Sequence, residues 1–128
     1  MSNVTSHEPT SLPALDHERL DAYRVAVALD RIVADAAKRA GRGHAWLCDQ
    51  ALRASGSAVL NLSEAVGREG ADRARHLRIA RGSLLETDAA LTLLANRGAC
   101  TEASRREAYA LTVRLAAMLQ RFIASTQR

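Results

Sequence analysis

Glycines divide this 128-residue sequence into four stretches, and each stretch repeats its apolar residues with the period of an α-helix. The dividing glycines are Gly41, Gly43, Gly67, Gly70 and Gly98. The periodicity predicts helices over residues 16–40, 44–66, 71–96 and 102–126, with Thr101 as the N-cap of the fourth. Four helices of similar length with short connections favour an all-α, antiparallel up-down-up-down four-helix bundle.

A single domain over residues 15–128 accommodates these helices, and residues 1–14 precede it. The first fourteen residues are rich in Ser, Thr and Pro, which predicts a flexible leader. The two cysteines, Cys48 and Cys100, lie far apart, and neither a signal-peptide pattern nor a membrane-spanning run is present. We therefore expect a cytoplasmic protein with reduced thiols and no membrane association.

The third predicted helix carries two apolar stripes. One stripe comprises Leu77, Ala80, Leu84, Leu91 and Leu94, and the other comprises Ile79, Ala90 and Leu93. The first stripe can close the bundle, so the second needs another partner, and we expect self-association. The alternative is a single wide buried face, which bundle helices often have.

A row of polar residues follows one side of the second helix: Gln50, Arg53, Ser57, Asn61, Glu64 and Arg68. If the second and third helices form a hairpin, residues whose numbers add to about 139 lie at the same level. The residues then level with Arg53, Ser57, Asn61 and Glu64 are Glu86, Gly82, Arg78 and Arg75, respectively.

This register predicts interhelical ion pairs of Arg53 with Glu86 and of Glu64 with Arg75 or Arg78. It also predicts that Gly82 lets the two backbones approach closely. The predicted structural polar network comprises Gln50, Arg53, Asn61, Glu64, Ser83 and Glu86. The alternative is that the row is simply a solvated helix face.

The same central region carries a family resemblance. Its residues are Leu47, Asp49, Gln50, Arg53, Ala54, Ser57, Val59, Asn61, Glu64, Gly67, Arg68, Arg75, Leu77, Ile79, Ala80, Gly82, Ser83, Leu84 and Glu86. This run resembles a small bacterial four-helix-bundle family encoded by intervening sequences in large-subunit ribosomal RNA genes. Leu20, Tyr23 and Ala26 match the opening helix of the family, whereas His76 stands where the family commonly has an aromatic residue.

The resemblance implies a homopentameric ring of four-helix bundles. It also implies kinship with the accessory proteins of diversity-generating retroelements, which bind a reverse transcriptase and nucleic acid through a positively charged surface. No catalytic residues are known for the family, so the resemblance assigns none to this chain.

The net charge of +4 is carried almost entirely by arginines, which bind phosphates in a forked geometry. We predict a non-enzymatic protein that binds RNA or DNA phosphates, or a nucleic-acid-processing partner such as a reverse transcriptase. The candidate nucleic-acid-binding residues are Arg68, Arg73, Arg75, Arg78, Arg81, Arg105 and Arg106. The alternative is a protein-protein interaction scaffold that does not bind nucleic acid.

Catalysis is not expected from this sequence. A di-iron bundle needs a glutamate followed three residues later by a histidine, and no glutamate here has that spacing. The histidines are scattered, and neither a zinc pattern nor a phosphate-binding glycine loop is present. We therefore predict neither a metal site nor a cofactor.

Overall fold

The computed structural model of the protein describes residues 13–127, which contain four long helices and no strand. We number the helices α1 (Asp21–Arg39), α2 (Ala45–Val66), α3 (Gly70–Asn96) and α4 (Glu102–Ser125). This result confirms the all-α class. The predicted leader, residues 1–14, lies outside the described residues except for its last two positions.

The first helix begins later than the predicted residue 16, because a short 3₁₀ turn precedes it. The turn spans Asp16–Arg19, and the backbone of Leu20 is then extended, with φ −87° and ψ 123°. The amide of Leu20 donates to the carbonyl of His17 (3.1 Å), which closes a three-residue turn instead of an α-helical one. Leu20 packs against the core at this break, so the apolar period continues across a change of backbone conformation.

Contacts between α1 and α2 show that the two helices run in opposite directions. Ser55 donates to the Asp30 carboxylate (2.6 Å), and the Cys48 thiol donates to the Ala37 carbonyl (3.8 Å). The residue number therefore rises along one helix as it falls along the other. Contacts described below show the same relation between α2 and α3 and between α3 and α4, so direction alternates along the chain.

Leucines and alanines fill the space between the helices. The fully buried leucines are Leu29, Leu62, Leu77, Leu84, Leu91, Leu94, Leu115 and Leu119. Burial of a leucine side chain contributes about 1.5–3 kcal/mol, which makes this set the main source of stability. Ala65 and Ala80 are completely buried, and their small side chains let α2 and α3 pack closely.

The N-terminus of α4 is capped as predicted. The Thr101 hydroxyl accepts a hydrogen bond from the Ser104 amide (3.1 Å), which satisfies one of the unpaired donors of the first turn. Among residues 13–127, no helix combines the length and the apolar composition that a membrane crossing requires.

Candidate nucleic-acid interface

A chain of side-chain hydrogen bonds joins α2 to α3. Ser83 donates to the Ser57 hydroxyl (2.9 Å), and the Asn61 amide nitrogen donates to the carbonyl and the hydroxyl of Ser57 (3.0 and 3.1 Å). The Asn61 amide oxygen lies 3.0 Å from Nδ1 of His76, and Nε2 of His76 lies 3.1 Å from Arg75. The interhelical pairs have residue numbers that again add to about 139, as expected for the hairpin.

Arg75 sets the protonation pattern of this chain. A guanidinium can only donate hydrogen bonds, so Nε2 of His76 accepts one from Arg75. Nδ1 of His76 therefore carries the ring hydrogen and donates to the amide oxygen of Asn61. The oxygen of Asn61 must then point to α3 and its nitrogen to Ser57. The network is therefore built from hydroxyl, amide and imidazole groups.

The two predicted interhelical ion pairs do not form. Glu64 binds Arg68, which lies in the connection after α2, through Nε (2.9 Å), and Arg68 also reaches Asp72 of α3 (3.2 Å). Within residues 13–127, Arg53 and Glu86 take part in no ion pair. Arg68 follows Glu64 by only four residues, so this partner close in the chain replaces a partner on the opposite helix.

The local ion pairs keep nearby carboxylates ionised. The hydrogen bond and the charge of Arg68 lower the pKa of Glu64. The hydrogen bond from Arg75 is the main cause of the lowered pKa of Asp72. Both carboxylates therefore neutralise arginine charge throughout the neutral pH range.

Gly82 does not support the predicted close approach of the two backbones. It is exposed on the outer side of α3, and a Cβ atom added there would meet nothing within 4 Å. Its neighbour Ser83 faces Ser57 instead. The predicted register is therefore off by one residue at this level, which corresponds to a rotation of α3 by about 100°.

Arg73, one of the candidate phosphate ligands, closes the end of α2. Its Nε donates to the Ala65 carbonyl (2.9 Å) and its Nη2 to the Val66 carbonyl (3.1 Å). Its guanidinium carbon lies 5.8 Å from the centre of the Phe122 ring. These contacts place the charge at the negative end of the α2 dipole and turn the side chain toward its own chain.

Arg105 links α4 to α3. Its Nη2 donates to the Asp88 carboxylate (2.8 Å) and to the Thr92 hydroxyl (2.7 Å), and its side chain is only 17% exposed. Its guanidinium carbon also lies 5.3 Å from the centre of the Tyr109 ring. Arg105 is thus committed to contacts within the described chain.

The other candidate arginines differ in how far their charge is neutralised. Arg68 and Arg75 share Asp72, and Arg106 pairs with Glu102 (3.1 Å). Arg81 instead binds the neutral side-chain oxygen of Gln120, a contact that again shows α3 and α4 running antiparallel.

Arg78 is exposed, and among residues 13–127 it forms no ion pair. Arg114 and Arg121 on α4 share both properties, although the candidate set did not contain them. We call Arg78, Arg81, Arg114 and Arg121 the available arginines, because no carboxylate of the described chain neutralises them.

The sequence matches the family of 23S rRNA-intervening sequence proteins over residues 18–121. The chain belongs to this family. The match covers α1, α2, α3 and most of α4, and it confirms the resemblance inferred from the central polar row. No curated protein matches the sequence significantly.

The thiols of this 23S rRNA-intervening sequence family member are poor nucleophiles. Burial, with a smaller contribution from the Asp49 charge, raises the pKa of Cys48. Burial also raises the pKa of Cys100. Both side chains therefore stay protonated at neutral pH. Within the described residues, no cluster of histidine, cysteine and acidic side chains could hold a metal ion.

The sequence only weakly indicates that His76 belongs to the polar network and that Arg114 and Arg121 belong to the arginine surface. His76 is separated from Asn61 by a turn, and only the hairpin register brings the two together. Arg114 and Arg121 belong to the basic residues of the fourth predicted helix, and neither has an acidic residue three or four positions away.

Proposed function

We propose that this protein is a non-enzymatic, oligomeric four-helix protein that binds the phosphates of RNA or DNA through the available arginines. The proposal depends above all on Arg78, which is exposed and has no ion-pair partner among residues 13–127. Arg81, one turn away, binds only the neutral Gln120. Both guanidinium groups therefore keep their full charge for a phosphate.

The chemistry of this surface favours contacts with the nucleic-acid backbone over contacts with bases. Tyr109 is the exposed aromatic residue of α4, and Arg105 already lies over its ring. Base stacking on this surface is consequently limited. Phosphate contacts alone give weak sequence specificity and an affinity that falls steeply with salt.

Fluorescence anisotropy with labelled single- and double-stranded RNA and DNA tests the proposal. The wild-type protein should bind at low salt, and the logarithm of the affinity should fall linearly with the logarithm of the salt concentration. Arg78→Glu combined with Arg81→Glu should weaken binding and reduce the slope by about 0.7–0.9 for each phosphate that the variant no longer binds.

The matched control is Arg31→Glu combined with Arg42→Glu. Both residues are exposed, Arg31 lies on α1 and Arg42 in the connection after it, and neither forms an ion pair in the described part of the chain. The control changes the net charge equally, so it separates a local surface from a general charge effect. Equally weakened binding in both double variants, or an unchanged slope after the Arg78 and Arg81 reversals, would contradict the assignment.

An interaction scaffold that does not bind nucleic acid is the second candidate function. Leu85, Tyr109 and Val113 are 60%, 53% and 53% exposed on α3 and α4. Apolar side chains beside arginines suit an acidic, amphipathic protein partner. Retention of a protein partner in a pull-down, together with no RNA or DNA binding at low salt, would favour this function.

We further propose that the assembly is a ring of five copies and that a reverse transcriptase is a candidate partner, as in the accessory proteins of diversity-generating retroelements. The family membership supports this proposal. Native mass spectrometry should give five times the chain mass of 13.8 kDa. A different copy number would contradict the ring of five, and failure to co-purify with a reverse transcriptase would contradict that partner.

The non-enzymatic and cytoplasmic parts of the proposal have separate support. The pairing with Arg68 and Arg75 lowers the pKa values of Glu64 and Asp72, which keeps both carboxylates ionised and makes them poor general acids. The two cysteines do not pair in the structure, as expected in a reducing compartment. Stoichiometric iron, manganese or zinc in the purified protein would reopen the question of catalysis.

A further inference from the structure

Two exposed stripes with a seven-residue spacing run along the outer side of the α2–α3 hairpin. The α2 stripe consists of Trp46, Arg53 and Leu60, and the α3 stripe consists of Ile79, Glu86 and Leu93. The apolar members are exposed by 67% (Trp46), 68% (Leu60), 40% (Ile79) and 43% (Leu93). Each stripe therefore presents a charged residue between two apolar residues.

The hairpin register places the two stripes level with one another. Trp46 lies level with Leu93, Arg53 with Glu86, and Leu60 with Ile79, since each pair adds to the value of about 139 seen in the bonded pairs of this hairpin. Trp46, Glu86 and Leu93 line one shallow groove together with Gln50. The stripes thus form one continuous surface, with an apolar group at each end and opposite charges in the middle.

The middle of this surface is open to an approaching chain. Gly56 and Gly82 lie there, and a Cβ atom added to either would meet nothing within 4 Å. Arg53 and Glu86 lie at the same level but take part in no ion pair within residues 13–127. Their charges remain available to a partner that presents the opposite charges at the same spacing.

We infer that this partner is a second copy of the chain, whose α3 stripe packs antiparallel on the α2 stripe of the first. This inference rests on the proposed self-association and names its contact surface. Arg53 then pairs with Glu86 of the neighbouring copy. Trp46 packs on the neighbour's Leu93, and Leu60 packs on the neighbour's Ile79.

Charge excludes the simplest competing arrangement. If α2 packed antiparallel on α2 of another copy, Arg53 would lie against a second Arg53, and the repulsion would oppose association. Packing α2 on α3 instead makes every charged contact attractive.

Charge reversal and Trp46 fluorescence test the inference on the full-length protein. Arg53→Glu and Glu86→Arg each place like charges across the contact and should raise the dissociation constant at least about tenfold. The combined variant carrying both changes restores opposite charges, so it should assemble like the wild type. Light scattering after size-exclusion chromatography reports the mass.

Trp46 gives a second readout, because it is the only tryptophan. Its emission should shift to shorter wavelength as the protein concentration rises and the indole leaves water. The midpoint is the protein concentration at which half of this emission shift has occurred. It should move to higher concentration in each single variant and return to the wild-type value in the combined variant. Arg31→Glu, a reversal on α1, is the control and should change neither mass nor midpoint.

Three results would overturn the inference, and circular dichroism confirms folding in each case. Single reversals that leave mass and midpoint unchanged would mean that copies associate through another surface, and the proposed oligomer would survive. Reversals that alter only the thermal stability of a monomer would assign Arg53 and Glu86 to a pair within one chain. A wild-type protein that stays monomeric at all concentrations would remove the proposed self-association itself.

Discussion

Arg73 illustrates how a surface arginine can be used by the fold instead of by a ligand. Its side chain binds the Ala65 and Val66 carbonyls and lies beside Phe122, so it ties the start of α3 to the end of α2 and to α4. Last-turn carbonyls have no partner within their own helix. An arginine that donates to two of these carbonyls is held in place by both hydrogen bonds, so it is less available to bind a phosphate.

Arg73→Ala should therefore lower the free energy of unfolding by about 1–3 kcal/mol, because two carbonyls are then left without a charged donor. Urea denaturation followed by circular dichroism measures the change. Arg106→Ala is the matched control, since Arg106 is 79% exposed and pairs with the exposed Glu102. Its effect should stay below about 1 kcal/mol. Equal effects at the two positions would contradict the capping role.

Arg68 controls the protonation of Glu64, and Arg68→Gln should raise the pKa of Glu64 toward its ordinary value. A depressed pKa in the folded state contributes stability above the unfolded pKa, and this contribution is lost as pH falls through the folded pKa. The variant should thus lack the small contribution that this pair makes above the unfolded pKa of Glu64. Carboxyl carbon shifts measured by NMR between pH 2 and pH 7 report the pKa, and an identical titration in both proteins would contradict the pairing.

At the scale of the helices, period and register were largely predictable, but the choice of partners was not. Apolar periodicity predicted the four helices, and the hairpin geometry placed Asn61 level with Arg78, two residues from its observed partner His76. The predicted pair of Glu64 with α3 failed because Arg68, only four residues along the chain, competes with an arginine across the interface. Sequence spacing cannot rank these partners, since the outcome depends on side-chain reach and exposure.

The contact between α3 and α4 depends on a partly buried ion pair that can be measured by a double-mutant cycle. Arg105→Met leaves the Asp88 carboxylate unpaired, and Asp88→Asn removes the charge that Arg105 binds. Each single change should cost about 1.5–3 kcal/mol, whereas the combined variant should cost less than the sum. Urea denaturation of the four proteins gives the coupling energy.

A coupling energy below about 0.3 kcal/mol would show that Arg105 and Asp88 act independently. In that case Arg105 would be free to exchange Asp88 for a phosphate, and it would return to the set of nucleic-acid ligands. The control is Arg106→Met with Glu102→Gln, an exposed i,i+4 pair on α4, for which the coupling should be no more than about 0.5 kcal/mol.

For the whole molecule, the sequence indicated a positive protein but not which arginines remain available. Seven arginines were candidates, and the structure commits Arg73 and Arg105 to packing while it leaves Arg78 without an ion pair among residues 13–127. Whether a charge is neutralised depends on three-dimensional neighbours. Net charge alone therefore identifies a class of partner and not a binding site.

Assembly and nucleic-acid binding should be coupled, because each copy adds its own available arginines to one surface. Linked sites raise the apparent affinity without any new contact, and more phosphates are engaged at once. Glu86→Arg separates this effect from simple charge. The variant replaces one carboxylate with one guanidinium and so raises the net charge from +4 by two, yet it should assemble poorly.

We therefore expect Glu86→Arg to bind a long single-stranded RNA more weakly than the wild type, with a shallower salt dependence, despite its greater positive charge. The variant that combines it with Arg53→Glu has the wild-type charge and should recover both affinity and slope. A short oligonucleotide that reaches only one copy is the control, and with it Glu86→Arg should not bind more weakly than the wild type. Tighter binding of Glu86→Arg to the long RNA would mean that net charge governs binding and that assembly does not contribute.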